Sequence, residues 1–268
     1  MKKYKTTVVG ASGKMGQVLI QNVFLSQALD LHAAIDIAGA EGFGEEAGLK
    51  LGLKTGVIIS DNFKEAIEQS DVVIDFTRPE ATLNYLEISK INKTAHVIGT
   101  TGFNEGEEKI IHQASQQTPI CFAPNMSVGV NVLISLVEKA AAILGKDYDV
   151  EVLEAHHKHK VDAPSGTALR LGQAAADGMK IKLSDHAVYT RHGRNTVRQQ
   201  KEIGFSTVRA GDIVGEHTVL FAGKGERVEL VHKATDRANF ALGAIKAAEF
   251  IATQSHGLFD MRDVLRLK

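Results

Sequence analysis
The amino-acid pattern predicts an α/β protein built from two domains. Three observations carry that prediction. Short apolar strands alternate with helical stretches over the first half, a glycine turn joins the first strand to the first helix, and the pattern becomes strand-rich beyond residue 127. At 268 residues, 44% hydrophobic and 24% charged, the chain is long enough to bury a substantial core.

Residues 6–9, Thr6-Thr7-Val8-Val9, read as a short buried strand. Gly10-Ala11-Ser12-Gly13-Lys14-Met15-Gly16 then opens a helix whose apolar positions Met15, Val18, Leu19, Val23 and Phe24 recur at helical spacing. Glycines in such a turn let backbone approach a pyrophosphate, and the helix N-terminus faces its negative charge. The spacing is GxxGxxG rather than GxGxxG, so alone the turn is a weak signal. Its context strengthens it: the next strand, residues 31–35, ends at Asp36, where a dinucleotide-binding unit places an acid for the adenosine ribose hydroxyls. Ile37 follows, so the neighbouring arginine that would receive a 2′-phosphate is missing, with Lys14 a partial substitute. That predicts NADH as cofactor with NADPH tolerated.

Three further strands, residues 71–76, 96–98 and 119–122, end in Thr77-Arg78-Pro79, Gly99-Thr100-Thr101-Gly102 and Ala123-Pro124-Asn125-Met126. Open parallel sheets bind ligands outside the carboxyl ends of their strands, so these loops are expected to meet nicotinamide and substrate. Ordinary turn chemistry is the bland alternative for the same residues. Cys121 lies inside an apolar run, which predicts a buried small hydrophobe rather than a thiolate nucleophile. Ser127 can cap a helix with one apolar face, Val130, Leu133, Ile134, Val137, Ala141 and Leu144.

Strands are then predicted at 150–155, 204–209, 217–221 and 227–232, with Gly223-Lys224-Gly225 closing the last pair as a hairpin and a helix from Thr167 to about Gly178. Residues 177–201 are polar, basic and turn-like with no clear period, which predicts a mobile surface excursion. The last helix, 238–253, is apolar enough to return to the first domain. The expected division is therefore 1–127 with 237–268 for the dinucleotide, and 128–236 for substrate and oligomer contacts.

Residues 154–167 read EAHHKHKVDAPSGT. His156, His157 and His159 stand with Lys158 and Lys160 in five consecutive positions, directly ahead of a helix start. Histidine titrates near neutrality and lysine supplies a fixed cation, so the cluster suits proton transfer to an anion. Ser165 can cap the helix, while N–H groups around Gly166 and Thr167 offer a carboxylate or phosphate site. A merely solvated basic face is the bland reading. Zinc is disfavoured because His-x-His has no matching Cys, His or acidic ligands at the usual spacing, so no metal is expected. Full extension would separate His156 and Lys160 by about 13 Å, at roughly 3.3 Å per residue, so the chain should bend there.

Charge and composition exclude other classes. The 31 Lys and Arg balance 32 Asp and Glu at net charge −1, leaving no general basic field for nucleic acid. The start resembles a signal peptide, yet its apolar run stops at Val9, and no run is long enough to cross a bilayer. With Cys121 the sole cysteine, no intrachain disulfide can form, and a cytoplasmic location is expected.

Taken together, the stretches GASGKMG, DFTRPEAT, VIGTTGF, NMSVGVNV, EAHHKHKVDAPSGTAL, TVRAGDIVGEHTV and GLFDMRDVL closely resemble the 4-hydroxy-tetrahydrodipicolinate reductase (dihydrodipicolinate reductase) family nearly end to end. The resemblance implies a Rossmann domain plus an α+β domain with a mixed sheet, and a homotetramer. It implies NAD(P)H-dependent reduction of (2S,4S)-4-hydroxy-2,3,4,5-tetrahydrodipicolinate to tetrahydrodipicolinate with loss of water, in lysine and diaminopimelate synthesis. It further implies His156 as proton donor and acceptor and Lys160 as proton donor, with His157, Ser165, Gly166 and Thr167 holding the dicarboxylate. Cofactor contacts would come from Gly10, Ala11, Ser12, Gly13, Lys14, Met15, Asp36, Gly99, Thr100, Thr101, Ala123, Pro124, Asn125 and Met126. The departure is Ile37, where some members have arginine, and it bears only on cofactor preference.

Two rivals differ in chemistry. A short-chain dehydrogenase needs Tyr-x-x-x-Lys, and none of Tyr4, Tyr85, Tyr148 and Tyr189 has lysine four residues on. A non-catalytic NAD(H) sensor would have no use for a proton-donating cluster beside an anion cradle.

Overall fold
The computed structural model describes residues 3–194, 197–236 and 238–267. In chain order the elements are β1 (Tyr4–Val9), α1 (Lys14–Leu25), β2 (Leu29–Ile35), β3 (Ile59–Ser60), α2 (Phe63–Glu68), β4 (Val72–Asp75), α3 (Pro79–Asn92), β5 (Ala95–Ile98), α4 (Glu105–Ala114) and β6 (Pro119–Phe122). They continue as α5 (Val128–Leu144), β7 (Asp149–His156), α6 (Gly166–Met179), α7 (Leu183–His186), β8 (Ala187–Val188), β9 (Ile203–Arg209), β10 (Gly215–Ala222), β11 (Arg227–Ala234), α8 (Ala238–Ile251), β12 (Gly257–Phe259) and α9 (Met261–Val264). The chain divides into two compact units, Met1–Val128 with Ala238–Lys268, and Gly129–Arg237.

The first unit carries a seven-stranded sheet in the order β12-β6-β5-β4-β1-β2-β3, every pair parallel. Successive side chains on a strand face opposite ways, so a strand buried on both sides must be apolar throughout. β1 shows this: Val8 packs in the cluster with α1 and α8 residues such as Leu19 and Ala244, while Val9 packs with Ile67 and Tyr85 on the other face. Each such buried valine contributes about 2 kcal/mol. The resulting alternation of strand and crossover helix is a Rossmann-type fold, with its order reversing between β1 and β4.

The second unit is a five-stranded mixed sheet, β11-β10-β7-β9-β8, in which β7, β9 and β8 run parallel and β10 and β11 antiparallel to their neighbours. α5 and α6 supply residues such as Val137 and Leu171 to a core with Val150, Val152, Phe205, Val219 and Phe221. On the opposite sheet face Leu153, Val208 and Val231 are exposed.

One expectation needs correction. The described residues of 177–201 are not turn-like throughout: they complete α6, form α7, and add β8 as a parallel partner of β9. The segment is tied down by ion pairs that carry no hydrophobic period. Arg191 meets Glu151 at 2.9 Å and Glu202 at 3.1 Å, and Arg198 Nε meets Asp149 at 2.9 Å.

Candidate functional site
In the first unit, Gly10 follows β1 with φ +71°, a backbone conformation that favours glycine. A Cβ on Gly16 would lie 2.0 Å from the Gly10 carbonyl oxygen, so only glycine lets α1 sit this close to the turn. α1 is capped by Gly13 with no side-chain hydrogen bond and has no acid in its first turn, which leaves its dipole and leading N–H groups for an anion. Asp36, just past β2, accepts the Ser12 N–H at 2.7 Å and its neighbour Ile37 N–H at 2.8 Å. It thereby ties the end of β2 to the glycine turn. Ile37 is 70% exposed.

These groups open on a cleft of about 550 Å³ lined by Gly10, Ser12, Gly13, Asp36, Thr77 and Arg78, among others. Of the other expected cofactor residues, Ala11 is fully buried and Met15 packs against the core, so both have mainly backbone to offer, and Lys14 is exposed. Gly99, Thr100 and Thr101 follow β5, and Ala123, Pro124, Asn125 and Met126 follow β6, at the same carboxyl edge but outside the lining of that cleft. A Cβ on Gly99 would meet the Phe76 ring at 2.3 Å. Met126 is buried, and α8 packs so tightly there that a Cβ on Gly243 would lie 1.7 Å from the Met126 carbonyl.

Beneath this edge lies a polar network that periodicity could not disclose. The fully buried Asp75 accepts at Oδ1 from the Thr77 N–H (2.9 Å), the Thr77 hydroxyl (2.7 Å) and the Thr100 hydroxyl (3.2 Å). Its Oδ2 faces His96 Nε2 at 3.5 Å. Tyr85, which also lines the cleft, was not singled out, whereas Arg78 lies in the loop after β4 that was expected to meet nicotinamide and substrate.

In the second unit, β7 ends at His156 and the chain turns at once, with the Lys160 N–H bonded to the His157 carbonyl at 3.1 Å. That is the bend that the His156 to Lys160 spacing required. His156 is 8% exposed and Lys158 and His159 are exposed. His156 Nδ1 donates to Glu154 Oε2 at 2.5 Å, and its ring stands edge-on to His217 with centroids 5.1 Å apart. Glu154 also accepts from Nη1 and Nη2 of Arg209, each at 2.8 Å, and from the Ser165 N–H at 3.1 Å. Ser165 caps α6 by accepting from Ala168 N–H at 3.1 Å, and its hydroxyl lies 2.9 Å from His217 Nε2. Lys160 Nζ pairs with Asp162 at 2.8 Å, and the Gly166 N–H also serves that carboxylate. An internal anion thus contacts the amine and the helix start expected to hold a dicarboxylate.

Electrostatics follow from these partners. Burial works to raise the Glu154 carboxyl, but hydrogen bonds from Arg209, His156 and Ser165 outweigh it and hold the group at about 2. Burial pushes His156 below its ordinary value against the pull of Glu154, with Lys160 and Arg209 reinforcing the descent. Burial, with His156 next in effect, takes His217 down to about 4. Cys121, in β6, is driven up to about 12 by burial and is no nucleophile. Among the described residues no group of three or more His, Cys, Asp or Glu is placed to hold a metal ion, and no helix is long and apolar enough to cross a membrane.

Glu154, Arg209, Thr207 and His217 were missed as site residues. The signal available was slight: Glu154 stands two residues before His156, which puts both side chains on one face of a strand. The Rossmann-type unit, with its glycine turn, acid and cleft, defines a nicotinamide-dinucleotide oxidoreductase class. The model for the N-terminal part of dihydrodipicolinate reductase matches residues 4–126, and that for its C-terminal part matches 129–265. The 4-hydroxy-tetrahydrodipicolinate reductase of Ralstonia pickettii (strain 12J) is 51% identical over 98% of this chain and 100% of its own length. That of Thiobacillus denitrificans is 50% identical over 98% and 99%. A dipicolinate-bound dihydrodipicolinate reductase from Paenisporosarcina sp. TG-14 shares the fold at a TM-score of 0.78, with 24% identity over 97% of this chain and 98% of its own. The chain belongs to the dihydrodipicolinate reductase family.

Proposed function
We propose that this protein reduces 4-hydroxy-tetrahydrodipicolinate to tetrahydrodipicolinate with loss of water, serving lysine and diaminopimelate synthesis. What carries the proposal, beside the relatives' shared name, is a single hydrogen-bonded turn that gathers His156, Lys160 and the start of α6. The first unit's glycine turn and Asp36 suit a nicotinamide dinucleotide, with Gly10, Ala11, Ser12, Gly13, Lys14 and Met15 at the pyrophosphate and the loops after β5 and β6 toward the nicotinamide. The reduced nicotinamide supplies a hydride. His157, Ser165, Gly166 and Thr167 orient the two carboxylates, Lys160 turns from Asp162 to the substrate, and His156 Nε2 delivers the proton that the reduced ring requires.

NADH is the preferred cofactor in this reading, because the Asp36 carboxylate repels a 2′-phosphate and Ile37 supplies no counter-charge. Arg78 in the same cleft leaves room for NADPH. Asp36→Ala should raise the NADPH-to-NADH ratio of kcat/KM about tenfold, ~1.4 kcal/mol; an unchanged ratio contradicts the assignment. The exposed face of the mixed sheet, with Leu153, Val208 and Val231, supports a homotetramer, and sedimentation equilibrium at the mass of four chains is the expected result. The biosynthetic role and single cysteine favour the cytoplasm. The test of the activity is NADH oxidation with substrate generated by the preceding synthase, in the wild type and in His156→Ala and Lys160→Ala; a non-catalytic sensor would support no turnover.

A further inference from the structure
We infer that Glu154, clamped by Arg209, is the positioning residue of the second unit's site: it holds the Nδ1–H of His156 and so commits Nε2 to delivering the proton. The inference deepens the proposed reaction and rests on His156 as its proton donor. Glu154 is 3% exposed, and a buried carboxylate needs its lone pairs filled. Five donors fill them: His156 Nδ1 at 2.5 Å, Arg209 Nη1 and Nη2 at 2.8 Å, Ser165 N–H at 3.1 Å and the Thr207 hydroxyl at 3.2 Å. They come from β7, from β9 and from the cap of α6, so the carboxylate's plane is set from three directions. The two-pronged guanidinium contact makes that orientation specific.

Arg209 reaches one step further, because its Nη2 also donates to the Asp162 carbonyl at 2.6 Å. Asp162 is the residue whose carboxylate pairs with Lys160, so one guanidinium braces the segments carrying both proposed proton-transfer groups. On the other side of the imidazole, a Cβ at Gly215 would stand 3.1 Å from His156 Nε2. Glycine at that position in β10 spares Nε2 a contact tighter than ordinary packing.

Four charged or titratable groups face His156: Glu154 on its own strand, Arg209 on β9, His217 on β10 and Lys160 in the turn. Glu154 is the one that favours an imidazolium, while the two cations oppose it. In the transfer itself the Nε2–H bond breaks and a bond from hydrogen to the charged ring atom of the substrate forms. The imidazole is left neutral, its remaining proton on Nδ1 and still held by Glu154. A carboxylate with a merely structural duty would be served by Arg209, Ser165 and Thr207 alone.

The experiment is a pair of substitutions with opposite expected signs and one conservative control, read as pH profiles of kcat/KM alongside NADH affinity and thermal melting. Glu154→Gln should lower turnover about tenfold or more and move the alkaline limb to lower pH by on the order of one unit, since removal of the carboxylate weakens the imidazolium. Arg209→Met should move that limb to higher pH, because a cation leaves and Glu154 acts on His156 undiluted. Glu154→Asp should keep the limb near wild type. NADH affinity should hold in all three. Limbs unmoved in both Glu154→Gln and Arg209→Met would reduce Glu154 to a structural role and overturn the inference; should one variant fail to fold, the other decides. An inactive wild type would instead defeat the proposed reaction itself.

Discussion

Chemistry in this protein is set by a side chain's partners more than by its type. His156, His157 and His159 fall within four positions, yet His156 is the one whose ring is pinned by a buried carboxylate. The same buried groups make stability depend on pH. Glu154 titrates near 2 when folded against an ordinary 4.5, so its contribution is complete above 4.5 and is lost as pH falls toward 2. His217 titrates near 4 against an ordinary 6.5, so the unfolded chain gains a proton first and stability falls as pH drops from 6.5 to 4. The urea midpoint should therefore decline steadily from pH 7 to 4, and His217→Gln should flatten that part of the curve. A wild-type midpoint that is level across the range contradicts the burial argument.

At the element scale, what could be read in the sequence was whatever local periodicity and turn chemistry record. The strand, glycine turn and helix at residues 4–25, the acid after β2 and the turn after β7 all follow from short-range patterns. Glu154 and Arg209 did not, because they lie 55 residues apart and meet only through the parallel register that pairs His156 with Arg209. β3 and β12, of two and three residues, are too short to carry a period and exist through pairing with β2 and β6. Similarly, β8 is held by its pairing with β9. The glycine turn gives the sharpest test at this scale. Gly16→Ala would place a methyl 2.0 Å from the Gly10 carbonyl, which α1 can relieve only by moving away. A loss of about 1–3 kcal/mol in stability is expected, with weaker NADH binding measured by fluorescence titration. Unaltered binding would remove the turn from the cofactor site.

At the scale of the whole molecule, the two units divide the labour of the proposed reaction: a parallel sheet whose strand order reverses beside a glycine turn, and a mixed sheet whose central strand ends in an acid–base cluster. The two parts of the family model meet near residue 127, between 126 and 129, where the alternating pattern gives way to the strand-rich one. The helix α8 and β12 return to the first unit's sheet although they follow the second unit in sequence. That return was legible in the apolar character of residues 238–253, while the register of β12 on β6 was not. In the proposed reaction, hydride leaves a dinucleotide on the first unit and the proton leaves His156, assisted by Lys160, on the second. That division of roles is tested most directly by turnover of the synthase-generated substrate in His156→Ala and Lys160→Ala, with NADH affinity measured on the same preparations. A loss of about 10²-fold or more in turnover with NADH affinity intact is the predicted result; wild-type turnover in both variants would contradict it.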